Sequence, residues 1–252
     1  MKKSTFKKIA TMLLAGALTA GMLTGCGAKD DKVLKMGTNA AFPPFEFYEE
    51  NKIVGFDVEL AGLIADKLGM ELQVEDMEFN TLLGAVNNNM IDLVAAGMTV
   101  DEDRAKQVEF TQGYFNSKQM IIVQATNNEI TTSDDLANKK IGVQLGTTSD
   151  KFAQLYIENP EVIQFDKAAL AVADLKNGTV DAVIVDAEPA KQLTAGQSDL
   201  KVLESPFVEE EYAIAVKKGN TELLDQINKA IDELKSSGEY DALYSKYFAE
   251  VE

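Results

Sequence analysis

Short apolar runs of strand type alternate along this chain with segments of helical period, and the alternation runs through once and then begins again. Val33 to Gly37 reads as a strand. Asp57 then stands as an N-cap for a helix whose Leu60, Leu63, Ile64 and Leu68 share one face and which stops near Gly69. Leu72 to Val74 gives a second strand, and Thr81 to Asn88 a helix with Leu82, Leu83 and Val86 on one side. Ile91 to Ala95 is a buried strand that runs into Ala96-Gly97-Met98-Thr99. The order β-α-β-α-β predicts a largely parallel sheet, because parallel neighbours need crossovers and the crossover helices then cover both faces.

The restart has the same grammar. Ser133 caps a short helix through Leu136, Lys140 to Gln144 is a strand, and Thr147 or Thr148 caps a helix running through Phe152, Leu155 and Tyr156. Val162 to Phe165 is a strand. Ala168 to Leu175 is a helix ended by Asn177-Gly178, a pair that accepts the left-handed conformation. Asp181 to Val185 is a strand with Asp186 at its carboxyl end, Tyr212 to Val216 is another, and Leu223, Leu224, Ile227, Ile231 and Leu234 form a helical stripe. The apolar runs Met120 to Val123 and Tyr212 to Val216 bracket the second unit. If both pass between lobes, the chain leaves lobe 1, builds lobe 2 and returns. The expected fold class is α/β with a discontinuous lobe 1 (residues 33–122 and 211–252), a lobe 2 (residues 123–210) and two hinge strands.

Ahead of these units Lys2, Lys3, Lys7 and Lys8 precede an uncharged run of 15 residues from Ile9 to Leu23. That is the build of a secretory leader, residues 1–25. A spanning helix needs about 20 apolar residues, so the run is too short to anchor the chain. The leader closes on Leu23-Thr24-Gly25-Cys26, which resembles a bacterial lipoprotein signal and holds the only cysteine of the chain. The resemblance implies that Cys26 carries lipid and tethers the protein to the cell membrane on its extracytoplasmic face. Residues 26–32 then serve as a polar tether.

Without the leader's four lysines the 24 basic residues become 20, against 41 acidic ones, a net charge of −21. After the leader no basic run is longer than Lys139-Lys140 or Lys217-Lys218. Nucleic acid is excluded as a partner, since phosphates need clustered Lys and Arg. The chain has no histidine. Serine–histidine triads, Cys–His nucleophiles and zinc sites are therefore excluded, and neither a metal nor a cofactor is expected.

Three groups of residues carry a family resemblance: Gly37-Thr38-Asn39-Ala40-Ala41-Phe42-Pro43-Pro44-Phe45-Glu46-Phe47, Val54-Gly55-Phe56-Asp57-Val58, and Ala96-Gly97-Met98-Thr99-Val100-Asp101-Glu102-Asp103-Arg104. They are joined by Phe110-Thr111-Gln112-Gly113-Tyr114-Phe115, Gly142-Val143-Gln144-Leu145-Gly146-Thr147-Thr148, Asp181-Ala182-Val183 with Asp186, and Gly238-Glu239-Tyr240 before Tyr244 and Phe248. In this order and spacing the chain resembles the solute-binding proteins of polar amino acid ABC importers, whose fold is the two-lobed type II periplasmic-binding fold.

The resemblance implies roles residue by residue. Arg104 would hold a ligand α-carboxylate, a task suited to the bidentate guanidinium fork. Gly97 and Thr99 would offer a close backbone or hydroxyl contact. Thr148 would present its N–H to the same carboxylate from a helix N-terminus; the Thr147 and Thr148 hydroxyls are not separable by sequence. Asp186 would receive the α-ammonium, and Phe42 and Phe79 would sandwich the aliphatic part. Asn39 and Gln144 stand where relatives vary with ligand side chain, and several relatives carry an acid at the Asn39 position. Glu46 reads as structural. Neutral Asn39 and Gln144 rank glutamine-like ligands first, arginine, lysine or histidine second, and acidic ligands last.

The implied protein is not an enzyme. It is a monomeric, lipid-anchored receptor that passes its amino acid to an ABC permease with ATPase subunits. Two other classes share the fold: prephenate- or arogenate-type dehydratases, and sensor modules feeding a separate signalling partner.

Overall fold

The computed structural model describes residues 33–249. The leader, Cys26 and the rest of the tether lie outside the described residues. The first element, β1 (Val33–Thr38), buries Leu34 and Met36. A small antiparallel sheet follows that no periodicity announced: β2 (Ala41–Phe42), β3 (Glu46–Glu49) and β4 (Lys52–Val54). Its tip, Glu50-Asn51, has both φ angles positive, at 46° and 66°. Such hairpin turns usually carry glycine, and the missing glycine hid this one.

Helix α1 (Phe56–Leu68) buries Leu60 and Ile64 and ends at Gly69 in the left-handed conformation. It is capped by Gly55 and not by Asp57, which sits inside the first turn. At Gly55 φ is +131°, and a Cβ there would lie 2.2 Å from the Phe45 carbonyl oxygen. Next come β5 (Glu71–Asp76), α2 (Leu82–Asn87), the two-residue β6 (Leu93–Val94) and the short α3 (Glu102–Ala105), whose Asp101 cap accepts from two backbone N–H groups.

Strand β7 (Val108–Gln124) is 17 residues long, far beyond the expected Met120 to Val123. Thr111, Ser117 and Gln119 break its apolar pattern although all three are buried. A 3-10 turn at Ser133–Leu136 is capped by Thr132, in a reciprocal box with Asp135, and not by Ser133. The second series is β8 (Lys140–Gln144), α4 (Thr148–Tyr156), β9 (Glu161–Phe165), α5 (Ala168–Lys176), β10 (Ala182–Asp186), α6 (Ala187–Thr194) and β11 (Leu200–Val202). The expected helix through Phe152, Leu155 and Tyr156 is α4; on it Leu155 and Tyr156 are exposed, and Ala153 is the residue turned inward. Strand β12 (Val208–Lys217) then leads to α7 (Thr221–Ser237) and α8 (Glu239–Phe248).

One sheet runs through the molecule in the order β5-β1-β6-β12-β7-β10-β8-β9, with β11 added along β7. The outer pairs are parallel: β1 with β5 and β6, and β8 with β9 and β10. The long β7 and β12 pair antiparallel in the middle. Their first and last halves therefore serve different neighbours. Val216 and Ala215 of β12 meet β6, while Gln119 to Ile122 of β7 meet β10.

Candidate functional site

The carboxyl ends of the parallel strands face each other across the two central strands, which is where ligands bind in open α/β sheets. On the lobe-1 side the loop after β6 turns at Gly97, with φ +53°. A Cβ there would lie 2.8 Å from Phe42 Cε1, so glycine lets the backbone pass against that ring. The loop is pinned from behind by Asp57. Its Oδ2 accepts from the Gly97 N–H at 2.8 Å and from the Tyr114 hydroxyl at 2.6 Å, and its Oδ1 has no partner. Burial pushes the Asp57 carboxyl up to about 7.

Two residues on, the Thr99 carbonyl accepts from Arg104 Nη1 at 2.8 Å. Arg104 Nη2 donates to the Gly146 carbonyl on the other side at 3.1 Å. The side chain is buried and its guanidinium lies 5.5 Å from the centre of the Phe79 ring. Among the described residues Arg104 forms no ion pair, so the rest of its donor fork is left for an anion.

The lobe-2 wall begins at α4. Thr147 is its cap, its hydroxyl accepting from the Asp150 N–H, which resolves the choice between the two threonines. Thr148 opens the helix, where N–H groups lack intrahelical acceptors and favour an anion. Its hydroxyl accepts from Gln119 Nε2 at 2.7 Å. Gly146, at φ +81°, approaches Asn80 of lobe 1 so closely that a Cβ would lie 2.9 Å from the Asn80 Cβ. At the end of β10, Asp186 makes no capping bond to α6. Its Oδ1 accepts from Ser117 at 3.0 Å and from Tyr212 at 2.5 Å. Burial first, and then the charge of Glu210, push its carboxyl up to about 7. Outside these walls Lys151 of α4 lies 2.7 Å from both Asp101 and Asp103.

These groups line one cavity, whose space counted out to its opening to solvent is about 330 Å³. Asn39, Phe42, Phe79, Gly97, Thr99, Arg104, Gln144, Thr147, Thr148 and Asp186 all line it, together with Ala96 and Glu46. Asn39 and Gln144 bond to each other across the cleft, Gln144 Nε2 to Asn39 Oδ1 at 2.9 Å. Both are further engaged by backbone carbonyls, those of Met77 and Asp166. Glu46 is different: it is 1% exposed, and neither carboxylate oxygen has a partner. Burial, then the charges of Asp57, Asp186 and Asp76, hold its carboxyl well above the usual range. The sequence reading left Glu46 as structural. The sequence named it only as the first suspect should the side-chain pocket prove to favour a cation, and the structure places it in the cavity wall.

Residues 34–250 match the family described as bacterial extracellular solute-binding proteins, family 3. The arginine-binding extracellular protein ArtP of Bacillus subtilis (strain 168) is 36% identical over 253 residues, covering 96% of this chain and 98% of that protein. Solved structures of an ancestral arginine-binding protein, one bound to arginine and one to glutamine, are each 43% identical, with TM-scores of 0.82 and 0.81. They cover 86% and 87% of this chain and 99% of theirs. An ancestral amino acid-binding protein described as a precursor of cyclohexadienyl dehydratase is 31% identical, with a TM-score of 0.80, over 86% of this chain and 95% of its own. The chain belongs to the family 3 extracellular solute-binding proteins, and its fold is the two-lobed type II fold.

Proposed function

We infer that this family member captures a free L-amino acid between its lobes and hands it to an ABC permease driven by ATPase subunits, without chemical change. The observation that carries the reading is the pairing of Arg104 and Asp186 around one cavity. An unpaired buried guanidinium suits an α-carboxylate, and a carboxyl held up to about 7 by burial and a like charge suits an α-ammonium that relieves both. Thr148 adds a helix-end donor for the same carboxylate. Because ligand groups on both lobes are engaged together, the closed arrangement binds better and is favoured.

The side chain of the ligand is cationic, with arginine first. Asn39 and Gln144 satisfy each other, whereas Glu46 is a buried carboxylate without a partner in the cavity wall, and a cation beside it offsets its desolvation. This reverses the glutamine-first ranking drawn from the neutral residues alone. The names of the arginine-binding relatives support the same order. The protein is anchored through lipid on Cys26 at the extracytoplasmic face of the cell membrane. A dehydratase remains the second reading because of the ancestral relative, and turnover assays with prephenate and arogenate separate the two.

A thermal-shift panel of the twenty amino acids tests the binding reading. A ligand at 100 times its Kd stabilises by about 2.7 kcal/mol, or roughly 5–10 °C for a domain of this size. No shift with any of the twenty sinks it. Glu46→Gln should weaken arginine about tenfold or more and leave glutamine within a few-fold; equal losses for both would remove Glu46 from the side-chain pocket.

A further inference from the structure

The inner face of the two central strands is polar where a stable ribbon would be apolar. Ser117 and Gln119 lie two residues apart on β7, so their side chains share a face, and Ser117 pairs in register with Glu210 of β12. Tyr212, two residues beyond Glu210, follows on the same face. Next along β7, Ile121, Ile122 and Val123 are fully buried and apolar. Every polar side chain on this face reaches a residue of the cavity wall. Ser117 and Tyr212 both donate to Asp186. Gln119 Nε2 donates to the Thr148 hydroxyl at 2.7 Å and to Glu210 Oε2 at 3.1 Å. That same Glu210 oxygen accepts from the Thr99 hydroxyl at 3.1 Å.

The chain Thr99, Glu210, Gln119, Thr148 therefore runs from a cavity residue on lobe 1, through both central strands, to a cavity residue on lobe 2. Neither Gln119 nor Glu210 lines the cavity. The arrangement is costly. Gln119 is fully buried with its Oε1 unpartnered, and Oε1 of Glu210 is buried without a partner as well. Apolar side chains of similar size would remove that penalty, so stability does not account for the pair. The two residues also sit where the strands must flex for lobes to part, and a bond network spanning that point holds its two ends in one arrangement only when the lobes are correctly apposed.

We propose that Gln119 and Glu210 are positioning residues of the binding site, a relay in the hinge strands that sets Thr99 and Thr148 for the ligand together and so ties lobe apposition to grip. This rests on the amino acid-binding reading above. Gln119 and Glu210 act through the two threonines, and Glu210 supplies the one oxygen on which both halves converge.

The test uses the folded chain and the best binder of the twenty-amino-acid panel, L-arginine as first probe. Gln119→Leu and Glu210→Ala should each raise Kd tenfold or more by calorimetry, with the melting temperature unchanged or raised. Glu210→Gln, which keeps an acceptor for Thr99 and Gln119, should stay within about threefold of wild type. The double variant Gln119→Leu/Glu210→Ala should be no weaker than the weaker single variant, because both break one relay. Kd values within twofold of wild type in both single variants overturn the proposal, as does a strictly additive double variant. If Gln119→Leu does not fold, Gln119→Glu, which keeps the shape and removes the shared donor, decides by the same criteria. A wild type that binds none of the twenty sinks the amino acid reading and the relay with it; a wild type that binds while the variants are unaffected sinks the relay alone.

Discussion

The two lobes are built on different cores. In lobe 1, Phe45 and Phe56 pack edge-on against Phe115, Tyr212 and the rings of α8, with Phe45 and Phe115 centroids 4.9 Å apart. Two fully buried carboxyls, Glu46 and Asp57, sit beside this aromatic block. In lobe 2 the buried core residues are aliphatic, with Ile121, Val143, Val183, Ala171 and Leu175 among them. There Gly142 and Ala171 bring α5 so near the sheet that a Cβ on Gly142 would lie 3.1 Å from the Ala171 Cβ. The contrast divides the work. Large rings pack the floor under Phe42 and Gly97, and Glu46, a buried acid without a hydrogen-bond partner, costs stability there in exchange for a site that favours a cation. Lobe 2 is a closely packed, largely aliphatic plate that presents a helix start and a strand end.

The comparison breaks most clearly at the ligand's two ends. On the proposed reading, Arg104→Ala takes the carboxylate site from lobe 1 and Asp186→Ala takes the ammonium site from lobe 2. Removing one partner of a buried charge pair costs about 2–5 kcal/mol. Each variant should weaken the best-binding amino acid by roughly two orders of magnitude or more in calorimetry. Near-wild-type affinity in both would refute the clamp; a large loss in one alone would show that a single lobe carries the recognition.

A smaller effect follows from pH, and its two signs differ. Asp57 and Asp186 titrate at about 7 in the folded protein, against about 3.9 in an unfolded chain. Between those values the folded state binds more protons, so this contribution to stability is present below about pH 4 and is lost as pH rises through 7. Without amino acid the melting temperature should be higher at pH 5 than at pH 8, by at least about 4 °C. Binding runs the other way. A proton on Asp186 must leave before the ammonium pairs, so Kd should rise up to about tenfold per unit as pH falls from 7 to 5. Affinity that is flat with pH while stability changes would place the titrating groups in the lobe-1 floor and not at the ligand.

The smallest expected change is at the outer bridge from lobe 2 to lobe 1. Lys106 first and then Lys151 hold Asp103 down, to about 2, through direct bonds; Asp103 is open to water, while Lys151 is one-third and Asp101 one-tenth exposed. Exposed pairs contribute little and are screened by salt. Lys151→Ala should weaken binding a few-fold at low ionic strength and not measurably at about 0.5 M salt. A tenfold loss that persists in high salt would make this bridge a principal closing contact.

Local pattern determined much of this protein. Apolar period placed β1, β8 and α7, Gly69 and Gly178 ended helices where the left-handed conformation was needed, and the family resemblance named ten residues that line one cavity. Period found the α4 helix but not its inward side, because nothing near Phe152, Leu155 and Tyr156 reports where the sheet lies, and Ala153 is the residue turned inward. The tertiary structure decided what the polar residues do. Asp57 reaches Gly97 over 40 positions, Asn39 meets Gln144 over 105, and Glu210 meets Thr99 over 111. A hydrogen bond depends on where two distant strands come to lie, and hydrophobic spacing records only which way each side chain faces from its own backbone. Hence Asp57 read as a cap, Glu46 as structure, and Gln119 fell outside the expected strand Met120 to Val123, until folding set them beside residues far away in the chain.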